Sequence, residues 1–265
     1  MSKSRRNNIQ VKKTKTKNTI IKLSDIMKIA ILGYGKMGEQ VELVALERKH
    51  KVVAYIDNEE DWKKQAEGFA EAEVAIDFSM PSVVMENIRR CFAAHKPIVV
   101  GTTGWYDKLP EVRKSCTEQG QSFFYASNFS LGVNLFFRLN RYLAKLMAPH
   151  AEYDVSMEEV HHTSKKDAPS GTAIVLAEDI IAALPHKDSW INQENDNRAE
   201  LSITSQRLGS QVGTHSVIYT SPMDEIRITH KSFNRKAFAI GAVAAAEFLL
   251  GKTGFFTMDN LLDTV

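Results

Sequence analysis

The sequence predicts an α/β chain: a doubly wound parallel sheet followed by a smaller α+β unit with a mixed sheet. Three observations predict it. Apolar runs without alternation recur through the first half, separated by helical patterns, as strands buried on both faces require. A glycine cluster closes the first of these runs. After Asn128 the runs alternate and turn residues join them, the mark of strands with one face covered.

Lys28 to Leu32 is the first strand, and Met37 to Lys49 places Val41, Val44 and Ala45 at helical spacing. Val52 to Ile56 is a second strand ending at Asp57, and Val74 to Phe78 a third. Pro81 suits the first turn of a helix reaching about His95. Pro97 to Gly101 is a fourth strand, followed by a helix near Leu109 to Gln119 and a strand from Ser122 to Ala126. Crossovers between parallel strands are expected to be right-handed. The second unit holds a helix over about Val133 to Met147, an alternating strand from Asp154 to Val160, and a helix that starts after Ser170 and runs to about Ala183. Strands at Leu201 to Arg207, Gly213 to Thr220 and Glu225 to Lys231 complete it. The Ala-rich helix from Lys236 to Leu250 is expected to pack back on the first unit.

The 265 residues suffice for one or two cores, and 43% hydrophobic with 25% charged residues favours neither disorder nor a membrane class. The net charge of +2 is unevenly placed: residues 1–26 hold eight cations against Asp25, or +7, leaving −5 for the rest. Residues 1–26 are therefore expected to be a disordered basic extension ahead of a start-like Met27. They lack the apolar core of a secretory signal, and no run approaches the roughly 20 apolar residues that span a bilayer. A mildly acidic folded part gives nucleic acid no purchase, and no membrane partner is expected. Cys91 and Cys116 lack metal-ligand spacing, so the expectation is no metal and a reducing cytoplasm.

Gly33-Tyr34-Gly35-Lys36-Met37-Gly38 follows a strand and opens a helix. The first glycine permits the turn, the second admits a pyrophosphate, and the third lets helix and strand approach. The motif alone is weak, since glycines often end strands. Asp57, about 20 residues on, strengthens it, because a carboxylate there can bond the adenine ribose. A dinucleotide site is the reading. Asp57 repels a 2′-phosphate and Asn58 adds no charge, which favours NADH; Lys36, Lys63 or Lys64 leave NADPH open. Gly101-Thr102-Thr103 and Ala126-Ser127-Asn128-Phe129 end the fourth and fifth strands, where ligands of such sheets sit. An ordinary turn is the plain alternative for each.

The stretch from Glu159 to Ala173 gathers His161, His162, Lys165 and a helix start at Ser170-Gly171-Thr172. Ser170 is a preferred N-cap, and the free N–H groups of Gly171 and Thr172 suit a carboxylate. Lys165 and His162 add charge and donors, so the partner expected is a small dicarboxylate. His161 is the natural proton donor: Lys165 lowers its pKa and a bound dianion raises it. A solvated polar loop is the competing reading, weakened by the convergence of four such features. Arg207, His215, Lys231 and Arg235 are read as exposed strand-face charge; Arg235 stands apart because it precedes the last helix.

At these residues the chain resembles the 4-hydroxy-tetrahydrodipicolinate (dihydrodipicolinate) reductase family. The matching motifs are the Gly33–Gly38 loop, Gly101-Thr102-Thr103-Gly104, Ala126 to Asn134, Glu159 to Ala173, Ile228 to Lys231 and Arg235 to Ala242. The resemblance covers Met27 to the C-terminus and implies a Rossmann-like domain over 27–129, to which 236–265 returns. It implies a substrate and oligomerisation domain over 130–235 whose open sheet mediates a homotetramer. His161 and Lys165 correspond to the catalytic pair; His162, Gly171 and Thr172 correspond to substrate contacts, joined here by Ser170 and Arg235. The glycine loop, Asp57, Gly101 to Thr103 and Ala126 to Phe129 correspond to the cofactor lining. The reaction expected is hydride transfer from NAD(P)H to C4 of the unsaturated ring, with His161 supplying a proton at C3. The short stretch from Asn58 to Glu73 and the missing basic residue after Asp57 depart from the family. Competing functions are an aspartate or diaminopimelate dehydrogenase, which needs an amino-acid site, and a nucleotide-sensing regulator, which needs neither His161 nor Lys165.

Overall fold

A computed structural model describes residues 26–264. The expected disordered extension over 1–26 lies outside the described residues apart from Ile26. The first sheet is built from β1 (Lys28–Leu32), β2 (Lys51–Ile56), β3 (Val74–Asp77), β4 (Ile98–Val100), β5 (Ser122–Tyr125) and β11 (Gly254–Phe256). All six are parallel, in the order β11-β5-β4-β3-β1-β2. The order reverses between β1 and β3, which opens a crevice at their carboxyl ends.

Alternate residues of β1 explain the two helical layers. Ile29 and Ile31 meet α1 (Lys36–Glu47) and α8 (Lys236–Leu249) through Val41, Val44, Ala242, Val243 and Ala246. Ala30 and Leu32 meet α4 (Val84–Ala93) and α5 (Leu109–Glu118) through Val84, Ile88, Cys91, Val112 and Cys116. Each fully buried aliphatic side chain contributes about 1.5–3 kcal/mol. Strands apolar on both faces therefore demand both layers, and α8 supplies part of one from the far end of the chain. Arg48 and His50 fasten it, bonding Glu247 at 2.6 and 2.8 Å.

The second sheet has the order β10-β9-β6-β8-β7. Its strands are β6 (Asp154–His161), β7 (Ser189–Ile191), β8 (Glu200–Arg207), β9 (Gly213–Thr220) and β10 (Glu225–Ser232). β6 pairs parallel to β8 and antiparallel to β9, so the sheet is mixed. Val155, Met157, Leu201, Ile203, Val217 and Tyr219 face α6 (Leu131–Met147) and α7 (Gly171–Ala183). The opposite face carries polar side chains, including Glu158 paired with Arg227 at 2.8 Å.

Several elements differ from expectation. Two short helices, α2 (Glu59–Lys64) and α3 (Ala66–Glu71), fill the stretch between Asn58 and Glu73. Asn58 caps α2 in a capping box with Asp61, which accounts for its place after Asp57. Pro81 stands in the turn ahead of α4, which begins at Val84. β7, β11 and α9 (Met258–Leu262) come from stretches to which the sequence pattern assigns no element.

Candidate active site

The glycine loop divides its labour between packing and access. Gly33 has φ +85°, and a Cβ there would lie 2.5 Å from the Phe78 carbonyl oxygen. A Cβ on Gly38 would lie 2.4 Å from the Gly33 oxygen. Both therefore exclude larger residues by sterics. Gly35 opens on space, with nothing within 4 Å of its would-be Cβ, and it caps α1 without a side-chain bond. The free N–H groups of the first turn thus face an open cradle, which fits a pyrophosphate. The Tyr34 N–H donates to Asp57 Oδ1 at 2.9 Å, so the loop itself orients the acid at the end of β2.

Asp57, Asn58, Glu59, Trp62 and Glu86 line a small cavity of about 170 Å³ beside that loop. Arg90, near this cavity, is held by Glu59 and Glu86, each at 2.9 Å. Lys64 pairs with Glu60 at 2.9 Å, and Lys36 lines a different cavity. The acid-rich wall keeps its negative character.

Asp77, which carries no role in the sequence reading, organises the next loops. Its carboxylate is fully buried and accepts bonds from the Ser79 N–H (3.1 Å), Ser79 Oγ (2.8 Å), Asn87 Nδ2 (2.7 Å) and Thr102 Oγ1 (2.5 Å). Burial pushes its pKa up, against the opposing pull of those bonds. The Thr102 hydroxyl is thus committed to the scaffold, whereas Thr103 reaches the cleft. Gly101 lies against Phe78, whose ring would be 2.2 Å from a Cβ.

A cleft of about 620 Å³ separates the two sheets' loops. His161, His162, Lys165, Ser170, Gly171 and Thr172 line one side, and Thr103, Ser127, Asn128 and Arg235 line the other. A neighbouring cavity of about 360 Å³ takes Lys36, Met37, Gly101 and Phe129, and shares Ser127, Asn128 and Arg235 with the cleft. The two motifs are thereby brought to one place. Ala126 lines a third cavity, beside Tyr125 and Arg141. Phe238, within the Arg235 to Ala242 motif, also walls the cleft, as do Tyr106, Phe137, Val175 and Val212, which no sequence motif marks. Lys165 is half-buried, and its ammonium holds both Asp167 oxygens at 2.7 Å. A carboxylate of the chain itself thus occupies the cation that a ligand carboxylate would use. The lysine bond keeps Asp167 below the ordinary carboxylate range even though burial opposes it.

Around His161 the cluster is buried, not a solvated strand face. Glu159 is 1% exposed and His215 5% exposed, and Arg207 is partly buried, which corrects the exposed reading of Arg207 and His215. The cause is register: Glu159 stands opposite Ser205 and His215, and His161 opposite Arg207, all on the face that α7 covers. Both Glu159 oxygens accept from the Ser170 N–H, at 3.1 and 3.2 Å. Arg207 Nη2 donates to Glu159 at 3.0 Å, while His161 Nδ1 and His215 Nε2 lie 3.4 and 3.6 Å from its Oε2. Glu159 stays well below the usual carboxylate range; burial opposes this, but the neighbouring His215 and the donors of Ser170 and Arg207 outweigh it. Burial lowers the His161 pKa to about 4, helped by His215, Lys165 and Arg207 and opposed by Glu159. Lys165, the cause expected from sequence, is thus secondary to desolvation. Glu159, His161 and His215 offer ligand atoms within 4.8 Å of one another, but Arg207 already neutralises that carboxylate. Ser170 Oγ accepts from the Ala173 N–H at 3.2 Å and meets His215 Nε2 at 3.0 Å, so its side chain caps α7.

Known proteins resemble this chain over most of its length. The family described as dihydrodipicolinate reductase, N-terminus, matches residues 27–129, and its C-terminus counterpart matches residues 132–262. A 4-hydroxy-tetrahydrodipicolinate reductase of Christiangramia forsetii is 45% identical over 236 residues, covering 89% of this chain and 98% of the relative. A reductase of the same name from Staphylococcus aureus strain Newman is 36% identical over 247 residues, covering 89% of this chain and all of the relative. The fold is similar to that of a dipicolinate-bound dihydrodipicolinate reductase from Paenisporosarcina sp. TG-14, with TM-score 0.70 at 23% identity over 89% of this chain and 99% of that one. With both halves matched in sequence and the crevice between them lined as described, the chain belongs to the dihydrodipicolinate reductase family.

Proposed function

We propose that this chain reduces 4-hydroxy-tetrahydrodipicolinate, by way of dihydrodipicolinate, to tetrahydrodipicolinate with NAD(P)H, in the diaminopimelate route to lysine. The observation that carries this reading is the shared cleft, in which Lys165, His162 and the start of α7 face the loops beside the glycine cradle. Gly33 to Gly38, Asp57, Gly101 to Thr103 and Ala126 to Phe129 would hold the dinucleotide. When bound, the reduced nicotinamide supplies a hydride to C4 of the unsaturated ring.

The chain's own groups do the rest. The N–H groups of Gly171 and Thr172 take a substrate carboxylate at a positive helix end, and Ser170 keeps that end in shape. Lys165 exchanges Asp167 for a substrate carboxylate, and Arg235 and His162 close the remaining sides. His161 is neutral in the free protein at pH 7. A dianion beside it favours the imidazolium, which then delivers its proton to C3. The donors fixed before substrate arrives stabilise charge that develops on the ring.

NADH is the preferred nucleotide in this reading, supported by Asp57, Glu59 and Glu86 at one cavity and by the engagement of Lys64 and Arg90. The division into a nucleotide domain over 27–129 with 236–265 and a substrate domain over 130–235 is supported by the two separate sheets. A homotetramer would use the polar outer face of the second sheet. A cytoplasmic setting is supported by the free, buried Cys91 and Cys116. Among the described residues no helix is long and apolar enough to cross a membrane.

The test is initial rates with enzymatically generated 4-hydroxy-tetrahydrodipicolinate, using NADH and NADPH in parallel. His161→Gln is expected to lower turnover by about 100- to 10,000-fold while NADH binding is spared. Unchanged turnover would remove His161 from the reaction, and a larger kcat/KM with NADPH would reverse the nucleotide preference.

A further inference from the structure

The sequence reading gives Glu159 no task, yet its carboxylate links the start of α7, Arg207 of β8 and the His161 ring. It bonds the Ser170 N–H, where the anion-binding helix starts. It bonds Arg207, which also donates to the Asp167 carbonyl, so the loop carrying Lys165 is tied at its middle as well as its end. Its Oε2 lies 3.4 Å from His161 Nδ1. That nitrogen is buried without a hydrogen-bond partner, so the ring meets the cleft through its Nε2 edge. The backbone of Gly213 leaves room for this edge: a Cβ there would lie 2.9 Å from Nε2.

An ionised carboxylate accepts hydrogen bonds and donates none. The negative charge 3.4 Å from Nδ1 favours the proton on that nitrogen in neutral His161, leaving the lone pair on Nε2. Resting on the reading of His161 as proton donor, we propose that Glu159 is a positioning residue that selects this tautomer and couples the donor to the anion-binding start of α7. The transferred proton is then taken up and released at Nε2, on the cleft side. The charged and titratable groups facing His161 are Glu159 on its own strand, His215 on β9, Arg207 on β8 and Lys165 on the loop. Glu159 is the only one of these that favours the imidazolium. His230 on β10 faces His215 from beyond.

Two substitutions on either side of the pair give opposite shifts. Glu159→Gln keeps an acceptor for Ser170 but removes the negative charge, so kcat falls by about 10-fold or more through loss of the tautomer. The basic limb of the kcat profile moves down by about one pH unit. Arg207→Gln removes a positive charge, so the same limb moves up. KM for NADH is expected to be unchanged in both. Nitrogen NMR of histidine-labelled full-length enzyme gives a signature apart from rate. His161 reads as the Nδ1–H tautomer in the wild type and in Glu159→Asp, and shifts toward Nε2–H in Glu159→Gln. If Glu159→Gln does not fold, Arg207→Gln and Glu159→Asp decide the matter alone. A purely structural cluster would lose activity with the limb and tautomer unmoved, and that result would overturn the proposal. His161→Gln serves as the separate control: normal turnover there would sink the donor reading itself, whereas its loss with an unmoved Glu159→Gln limb would sink only the positioning role.

Discussion

Burying an imidazole that is neutral in the free protein makes the fold acid-sensitive in a defined window. The His161 pKa falls from its ordinary 6.5 to about 4, with burial as the first cause. Between those values the unfolded chain binds a proton that the folded chain refuses. Stability therefore falls as pH drops through 6.5, and the loss is complete near the folded value. Each unit of separation corresponds to about 1.4 kcal/mol, so by pH 5 the site should have lost about 2 kcal/mol relative to pH 7. Glu159 does not enter this window, because its folded pKa is depressed and its contribution is lost only below the ordinary carboxylate value. His230, also lowered by burial, adds a loss of the same sign. The perturbation is His161→Gln, and the assay is urea unfolding of wild type and variant at pH 7 and pH 5. The variant should lose about 2 kcal/mol less between the two conditions. Parallel losses, equal within about 0.5 kcal/mol, would refute the claim that His161 is held neutral.

Two other substitutions probe the scaffold and the cleft. Asp77→Asn sets an amide donor among Asn87, Ser79 and Thr102, and should lower the unfolding free energy by about 1–3 kcal/mol and weaken NADH binding. An unchanged urea midpoint would show that the four bonds do not matter. Asp167→Asn frees the Lys165 ammonium from an exposed partner, worth up to about 1 kcal/mol. The substrate KM should fall severalfold with kcat little changed, and a raised KM would mean that Asp167 helps to present the lysine.

The parallel sheet was legible because its strands are apolar on both faces and its first turn needs glycine for steric reasons now visible at Gly33 and Gly38. The two loops that build the cleft were legible because glycines, a helix cap and clustered donors are local features. β7 and β11 have three residues and none fully buried, so unlike the equally short but fully buried aliphatic β4 they leave no apolar run to register. The pairing of Glu159 with Arg207 and His215 depends on cross-strand register, which no single strand encodes. One signal was present. Val155 and Met157 set the buried parity of β6, and Glu159 and His161 continue it, so a carboxylate falls where an apolar side chain is expected. Asp77 gives the same signal at the end of an otherwise apolar β3.

The route of α8 and β11 has a consequence for biosynthesis. The ribosome releases the two pieces that finish the first sheet only after the whole second sheet has been made. Until then the surface that awaits Ala242, Val243, Ala246 and Leu249 stays wet, and β5 has an open edge. A nascent chain stalled ahead of Lys236 therefore exposes a greasy half-sandwich, the kind of intermediate that chaperones bind and proteases clear.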